Sequence, residues 1–120
     1  MDERPPVWIG HTHLAVADVD RSADFWLELG LREVVRDDRL AVLELRGGTH
    51  LLLLPGGAET DTDAPFDLMV EDLDATHADW QARGLAPSSI ERGQIHDQFT
   101  VRDPDGYRVT VRSSHVLGPV

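Results

Sequence analysis

HTHLAVADVDRSADFW, residues 11–26, decides the fold, because a strand pattern passes directly into a helix pattern within it. In its first half Leu14 and Val16 alternate with His11 and His13, the period of two that is typical of a β-strand with one apolar face. The two histidines are therefore predicted to lie on the strand face opposite the two aliphatic side chains.

The second half of the stretch has the spacing of an amphipathic helix. Ala23, Trp26 and Leu27 recur at intervals that place them on one helix face. Asp20 is a candidate N-cap, since its carboxylate can accept the free amide protons of the first turn. Gly30 offers the left-handed conformation that ends many helices. A strand followed by a helix that covers one of its faces is the predicted local structure.

The same pattern occurs a second time further along the chain, which indicates two similar modules. The segment VADVD at 16–20 matches VEDLD at 70–74, an offset of 72 − 18 = 54. At that offset Trp26 and Gly30 also coincide with Trp80 and Gly84, and Asp74 takes the helix-capping position of Asp20.

Each module is predicted to continue with three further strands. They lie near residues 33–36, 40–45 and 49–54 in the first module, and near 86–91, 98–102 and 107–113 in the second. The fold class is therefore α+β, with two βαβββ modules that form a curled mixed sheet around a shared cavity. The whole chain, 1–120, is predicted to be a single domain, with module one at about 7–55, a linker at 56–64 and module two at about 65–115.

One helix covers only one face of each predicted sheet, so the opposite face is expected to line the cavity. Strand alternation assigns the lining side chains. They are Ile9, His11, His13, His50, Leu52, Leu54, Asp67, Met69, Gln98, Thr100, Arg108, Thr110 and Arg112.

The composition restricts the partners. The formal net charge is −11, and all 11 basic residues are arginines. Such a charge repels nucleic acid and anionic membranes, and it attracts cationic ligands. The absence of cysteine excludes disulfides and thiolate metal sites. Residues 1–6 lack a signal-peptide pattern and the apolar run 51–54 is too short to span a bilayer, so a cytoplasmic location is expected.

Two segments of the chain carry a family resemblance. Residues 11–26, followed by LGL at 29–31, and FTVRDPDGYRVTV at 99–111 resemble the opening and the closing hairpin of the vicinal-oxygen-chelate superfamily of glyoxalases, bleomycin-resistance proteins and extradiol dioxygenases. With the repeat, the resemblance covers about residues 8–114. It implies enzymes that bind a divalent metal through histidines and a glutamate on facing strands, with positions left open for a chelating substrate.

Four positions of this sequence correspond to the ligands that the resemblance implies. They hold His11, Leu52, Pro65 and Thr110, so one of the four has a metal-binding side chain. No metal and no cofactor are therefore predicted. A displaced site built from His11 and His13 with Asp67 or His50 stays open as an alternative.

Chemical roles can be assigned to the predicted lining. His11 and His13 are candidates for proton transfer, since imidazole titrates near neutrality. Arg108 and Arg112 would suit an anionic ligand group, and Asp67 would pair with an arginine or bind a cation. The predicted ligand-binding residues are His50, Leu52, Asp67, Met69, Gln98, Thr100, Arg108, Thr110 and Arg112.

The tryptophans are predicted to stay out of the cavity. Trp26 and Trp80 lie on the helices and are expected in the core, and alternation directs Trp8 to the helix side too. The cavity is therefore poor in aromatic side chains.

Two functions follow from these features. The first is a metal-free protein that binds a small organic molecule, such as an antibiotic or a secondary metabolite, as in the bleomycin-resistance branch. The second is an enzyme of the same superfamily, a lyase, an isomerase or a dioxygenase-like protein, that uses a cavity histidine as general base or a displaced metal site. The resemblance further implies a homodimer.

Overall fold

The computed structural model describes residues 3–116 and 118–120. The chain divides into two compact units, one of Met1–Thr60 with Gly118–Val120 and one of Asp61–Leu117. Each unit contains a sheet and a helix, so the predicted α+β class is confirmed. Among the described residues, no helix has the length and apolar character needed to cross a membrane.

The first unit is a four-stranded mixed sheet with one long helix. Its elements are β1 (His11–Val16), α1 (Val19–Leu29), β2 (Arg32–Arg36), β3 (Ala41–Glu44) and β4 (His50–Pro55). The strand order is β1-β4-β3-β2, with β1 parallel to β4 and the other pairs antiparallel. This is the βαβββ arrangement that the sequence predicts.

Helix α1 begins at Val19, directly after the aspartate that caps it. Asp18 has an extended backbone and its carboxylate accepts a hydrogen bond from the Arg21 amide at 3.1 Å, so the prediction of Asp20 as N-cap is wrong. Because the helix starts earlier, Val19 belongs to it and is buried in the core. A helix capped at Asp20 would leave Val19 outside the helix. Gly30 ends the helix in the left-handed conformation, as predicted.

The alternation of the strands separates a buried face from an open face in this sheet. Leu14 and Val16 of β1 are buried on the side of α1 together with Trp26. Ala41, Leu43, Leu51 and Leu53 complete that core. The opposite face, defined here as the open face of the first unit, carries the half-buried and exposed side chains of the same strands.

The second unit has one strand fewer than predicted. Its elements are β5 (Leu68–Val70), α2 (Leu73–Ala82), β6 (Gln98–Arg102) and β7 (Arg108–Ser113), in the sheet order β5-β7-β6.

The missing strand is the one predicted near residues 86–91. That segment runs beside β6, but only Glu91 forms a bridge, with Gln98. Ala86 has a left-handed φ of 52° and Pro87 has no amide proton, so a regular ladder cannot form there.

Helix α2 repeats the capping of α1. Asp72, not the predicted Asp74, accepts a hydrogen bond from the Ala75 amide at 3.0 Å. The buried Trp80 makes an edge-to-face contact with Phe99 of β6, with ring centroids 5.6 Å apart. This contact joins the helix to the sheet.

Trp8 differs from the other two tryptophans. It precedes β1 and is 70% exposed, so the prediction that it lies on the helix side is wrong. Regular strand structure begins only at His11, and alternation does not extend back to Trp8.

Gly57 lies where the chain leaves β4 and passes against the end of β1. A Cβ atom on it would lie 2.2 Å from the Ala15 carbonyl oxygen and 2.6 Å from the Val16 nitrogen. We expect Gly57→Ala to lower the free energy of unfolding by about 1–3 kcal/mol, because backbone must move to admit the methyl group. Gly10→Ala is the control, since a Cβ there meets nothing within 4 Å. Equal urea midpoints for both variants would contradict the close approach.

Candidate functional site

The open face of the first unit collects four of the predicted site residues. His11 and His13 of β1 are exposed on it, and His50 and Leu52 of β4 are half-buried beside them. The register pairs His11 with His50 and His13 with Leu52. The structure therefore brings both proposed proton-transfer groups next to two of the proposed ligand-binding side chains.

A polar row crosses this face from one edge of the sheet to the other. Arg32 of β2 is opposite Glu44 of β3, Glu44 is opposite His50 of β4, and His50 is opposite His11 of β1. The Arg32 guanidinium donates to Glu44, and His50 Nε2 lies 3.1 Å from Glu44 Oε1. The imidazole rings of His50 and His11 have centroids 5.7 Å apart. These four residues are called the polar row below.

Two members of the polar row were missed by the sequence reasoning. Arg32 and Glu44 belong to the second and third strands, whereas the predicted lining drew only on the first and last strands of the first module. The signal was available, because alternation around the buried Leu43 places Glu44 on the open face.

Electrostatics keeps the Glu44 carboxyl ionised. The hydrogen bond from Arg32, followed by the one from His50, holds the pKa of Glu44 below its usual value. An ionised carboxylate accepts hydrogen bonds and cannot donate them. The contact with His50 therefore requires the proton of that imidazole to be on Nε2.

Next to the polar row the open face is apolar. Val35 is opposite Val42, Val42 is opposite Leu52, and Leu54 of β4 follows on the same face. These side chains are half-buried or exposed, so apolar surface is available for contact with another molecule. The first unit thus offers an apolar patch bordered by imidazoles.

In the second unit the predicted site residues form a network of paired charges. Arg112 Nε donates to Asp67 at 2.8 Å, and its guanidinium also donates to the side-chain oxygen of Gln98. Arg108 contacts Asp63 and Asp61.

Because these carboxylates are already paired with Arg108 and Arg112, an anionic ligand would have to displace one of them. The network therefore does not favour the interpretation of the two arginines as an anion site.

The remaining predicted residues of the second unit lie on the same sheet. Thr100 of β6 and Thr110 of β7 are opposite each other and half-buried, and Met69 of β5 is opposite Arg112 and 50% exposed. Asp67 precedes β5 and is exposed. These side chains share the face opposite the buried Phe99, Val101, Val109 and Val111.

The residues at the positions where the resemblance implies metal ligands do not suit a metal ion. Leu52 and Pro65 have no donor atom in their side chains, and Thr110 has only a hydroxyl. Among the described residues, no three histidine, aspartate or glutamate side chains are grouped so that they could hold a metal ion.

A separate groove of about 660 Å³ lies in the first unit, and none of the four polar-row residues lines it. It is lined by Arg4, Pro5, Pro6, Val7, Trp8, Arg46, Gly47, Thr49 and Val120. The sequence reasoning did not predict it, and it contains none of the predicted site residues. It is formed largely by the segment before β1.

An open-faced sheet covered by one helix, with a βαβββ order in the first unit, defines the class of protein. The family model of the Glyoxalase/Bleomycin resistance protein/Dioxygenase superfamily matches residues 8–111, and the chain belongs to this superfamily. The resemblance noted in the sequence is thereby confirmed.

Solved structures agree in fold at low sequence identity. A lactoylglutathione lyase from Agrobacterium tumefaciens is 21% identical with a TM-score of 0.77, over 97% of this chain and 100% of that one. The antibiotic binding protein TnmS3 from Streptomyces sp. CB03234 is 22% identical with a TM-score of 0.72, over 92% and 98%. The bleomycin-binding protein of Streptomyces verticillus, in complex with copper(II)-bleomycin, is 23% identical with a TM-score of 0.69, over 93% and 100%. No curated protein sequence matches the chain. Likeness at this level of identity establishes the fold alone.

Proposed function

We propose that the protein binds a small organic molecule, such as an antibiotic or a secondary metabolite, on the open face of the first unit. The observation that carries the proposal is the replacement of the family's chelating side chains by Leu52 and Thr110 on open sheet faces. Leucine at such a position offers apolar contact area in place of a metal ligand. The lining is then suited to holding a molecule rather than to activating a chelated oxygen.

The charges favour a neutral or cationic ligand over an anionic one. The net charge is −11. Arg108 and Arg112 lie on β7 in the second unit, and both are already paired with carboxylates. Similarity in fold to proteins that bind bleomycin and another antibiotic supports this class of ligand.

A homodimer and a cytoplasmic location belong to the same proposal. The segment before β1 supports the dimer, because Val7, Trp8 and Ile9 are each at least 70% exposed. Burial of such a stretch in an interface between copies would remove apolar surface from water. Light scattering on the purified protein measures the assembly directly.

The binding proposal is tested by titrating the purified protein with bleomycin, copper(II)-bleomycin and a library of microbial secondary metabolites, followed by calorimetry on each hit. We expect Leu52→Gln to weaken binding by roughly five- to thirtyfold, because apolar contact with the patch is lost. Leu29→Gln is the matched control, since Leu29 is a half-buried leucine on α1. Equal affinities of the two variants would place the ligand elsewhere, and chemical conversion of the hit would contradict a pure binding role.

The second candidate is an enzyme of the superfamily that uses a cavity histidine as general base. The contact between His50 and the Glu44 carboxylate favours it, since a carboxylate orients an imidazole for proton transfer. Product formation that is lost in His11→Ala, His13→Ala or His50→Ala with the fold intact would support this candidate.

A further inference from the structure

The starting point is the hydrogen bond that fixes His50. Its Nε2 lies 3.1 Å from Glu44 Oε1, and neutral imidazole has one nitrogen that donates and one that accepts. Because ionised Glu44 only accepts, Nε2 carries the proton. In the neutral ring Nδ1 is then the acceptor, and among the described residues none donates a hydrogen bond to it.

Arg32 fixes Glu44 in turn. Its guanidinium donates to the second carboxylate oxygen, Oε2, so each of the two oxygens has its own donor. Arginine donates and never accepts, so the Glu44 oxygen that it contacts must be an acceptor. Glu44 is held between the guanidinium of Arg32, which can only donate, and the imidazole of His50. Neither contact uses Nδ1 of His50.

The free nitrogen of His50 is directed away from Glu44. The two nitrogens lie on opposite sides of the imidazole ring, and the next side chain in the polar row on the side away from Glu44 is His11. His11 is exposed, and its imidazole is in ring contact with that of His50. A molecule on the apolar patch of Val42 and Leu52 would thus meet the acceptor Nδ1 of His50 at its polar end.

We propose that Glu44, held by Arg32, is a positioning residue that sets the tautomer of His50, so that the Nδ1 atom of His50 selects ligands with an apolar body and a hydrogen-bond donor, such as a hydroxyl group, over carboxylates. This inference rests on the proposed binding function. It adds the ligand class and the residue that sets it. Selection depends on whether Nδ1 of His50 accepts or donates a hydrogen bond, and the neighbouring Glu44 carboxylate determines this.

The tautomer can be measured without any ligand. Long-range ¹H–¹⁵N spectra at about pH 8, above the usual titration range of imidazole, distinguish protonated from unprotonated ring nitrogens. Wild-type His50, assigned with His50→Gln, is expected in the Nε2–H form. In Glu44→Gln the obligatory donor Arg32 takes the amide oxygen, so the amide NH₂ faces His50 and the Nδ1–H form is expected.

Glu33→Gln is the matched control for this measurement. Glu33 is on β2, the strand next to that of Glu44, but it pairs with Arg36, which also contacts Asp24 of α1, so the tautomer of His50 should not change. An Nε2–H form that persists in Glu44→Gln would overturn the role of Glu44.

The ligand class is tested with two probes that share one apolar body, 2-naphthol and 2-naphthoate. Shifts of the His11 and His50 resonances on titration give the affinities. Wild type is expected to prefer 2-naphthol by about tenfold, the value of one favourable hydrogen bond against an unmade one. In Glu44→Gln, where Nδ1 would donate, the ratio is expected to fall by about tenfold or to reverse.

The outcomes separate this inference from the binding proposal. Equal preference in wild type and Glu44→Gln, with the tautomer changed, would overturn the selection of ligand class while leaving the binding proposal intact. If no metabolite binds but 2-naphthol is still preferred over 2-naphthoate, the proposal of an antibiotic or metabolite ligand is rejected. The preference of the site for hydrogen-bond donors would then stand.

Discussion

Trp26→Ala is expected to lower the free energy of unfolding by about 3–5 kcal/mol. Trp26 is 0% exposed and is the largest side chain of the core between α1 and the sheet of the first unit. It also makes an edge-to-face contact with Phe25. Truncation removes the transfer free energy of the indole and leaves a cavity that the surrounding β-strands cannot fill without moving.

Trp8→Ala is the matched control, because Trp8 is the same side chain at 70% exposure. Its effect is expected to stay within about 0.5 kcal/mol at protein concentrations low enough to keep the chain monomeric, where Trp8 is not part of an interface. Urea unfolding followed by far-ultraviolet circular dichroism measures both variants without relying on tryptophan fluorescence. Similar losses for Trp8 and Trp26 would mean that the segment before β1 is buried in solution.

Asp103→Ala is expected to have the second largest effect, about 2–4 kcal/mol. Asp103 is buried in the turn before β7, where its Oδ1 accepts the amide protons of Asp105 at 3.0 Å and Tyr107 at 2.8 Å. Alanine leaves both amides without this acceptor, and the turn that sets the register of β6 with β7 is weakened. Asp103→Asn keeps an oxygen acceptor and is expected to lose less.

The two Asp103 variants also differ in their dependence on pH. Burial raises the pKa of the Asp103 carboxyl, against the bond from the Tyr107 amide and with help from the charge of Asp105. The folded state then binds the proton of this carboxyl more tightly than the unfolded chain, in which an aspartate has a pKa of about 3.9. The stabilisation that comes from this tighter proton binding is complete below the unfolded-state pKa, and it is lost as pH rises through the raised folded-state pKa.

Asp103→Asn cannot titrate at this position, so wild type is expected to lose stability relative to Asp103→Asn as pH rises from about 4. Urea unfolding of both proteins at several pH values measures the difference, in which other titrating groups cancel. A difference that is constant with pH, or that changes in favour of wild type as pH rises, would contradict a raised pKa.

Several features of the fold were predictable from local sequence. The alternation around Leu14 and the spacing of Trp26 identify β1 and α1, and the repeat places a second helix with Trp80 at the same position. Gly30 ends α1 as expected, since few other residues accept its φ of 118°. These signals are local, so no knowledge of distant contacts was needed.

Capping and strand formation were less predictable, because they depend on competition between neighbours. Asp18 and Asp20 are both capable caps, and the burial of Val19 decides for the earlier one. The segment near 86–91 has strand-like residues, but the backbone at Ala86 and Pro87 prevents a ladder. Sequence patterns indicate local propensity. The choice of N-cap and the formation of a β-ladder depend instead on which local conformation packs better against the rest of the unit.

The sequence by itself determined the superfamily, the α+β class and the residue types Leu52, Pro65 and Thr110 at the positions where the resemblance implies metal ligands, because these are matters of residue identity and spacing. Only the tertiary structure decided which polar groups meet. His50 and Glu44 are six residues apart with a turn between them, and Arg32 reaches the same carboxylate from the edge strand. Strand register, which is set by the whole sheet, aligns them with His11.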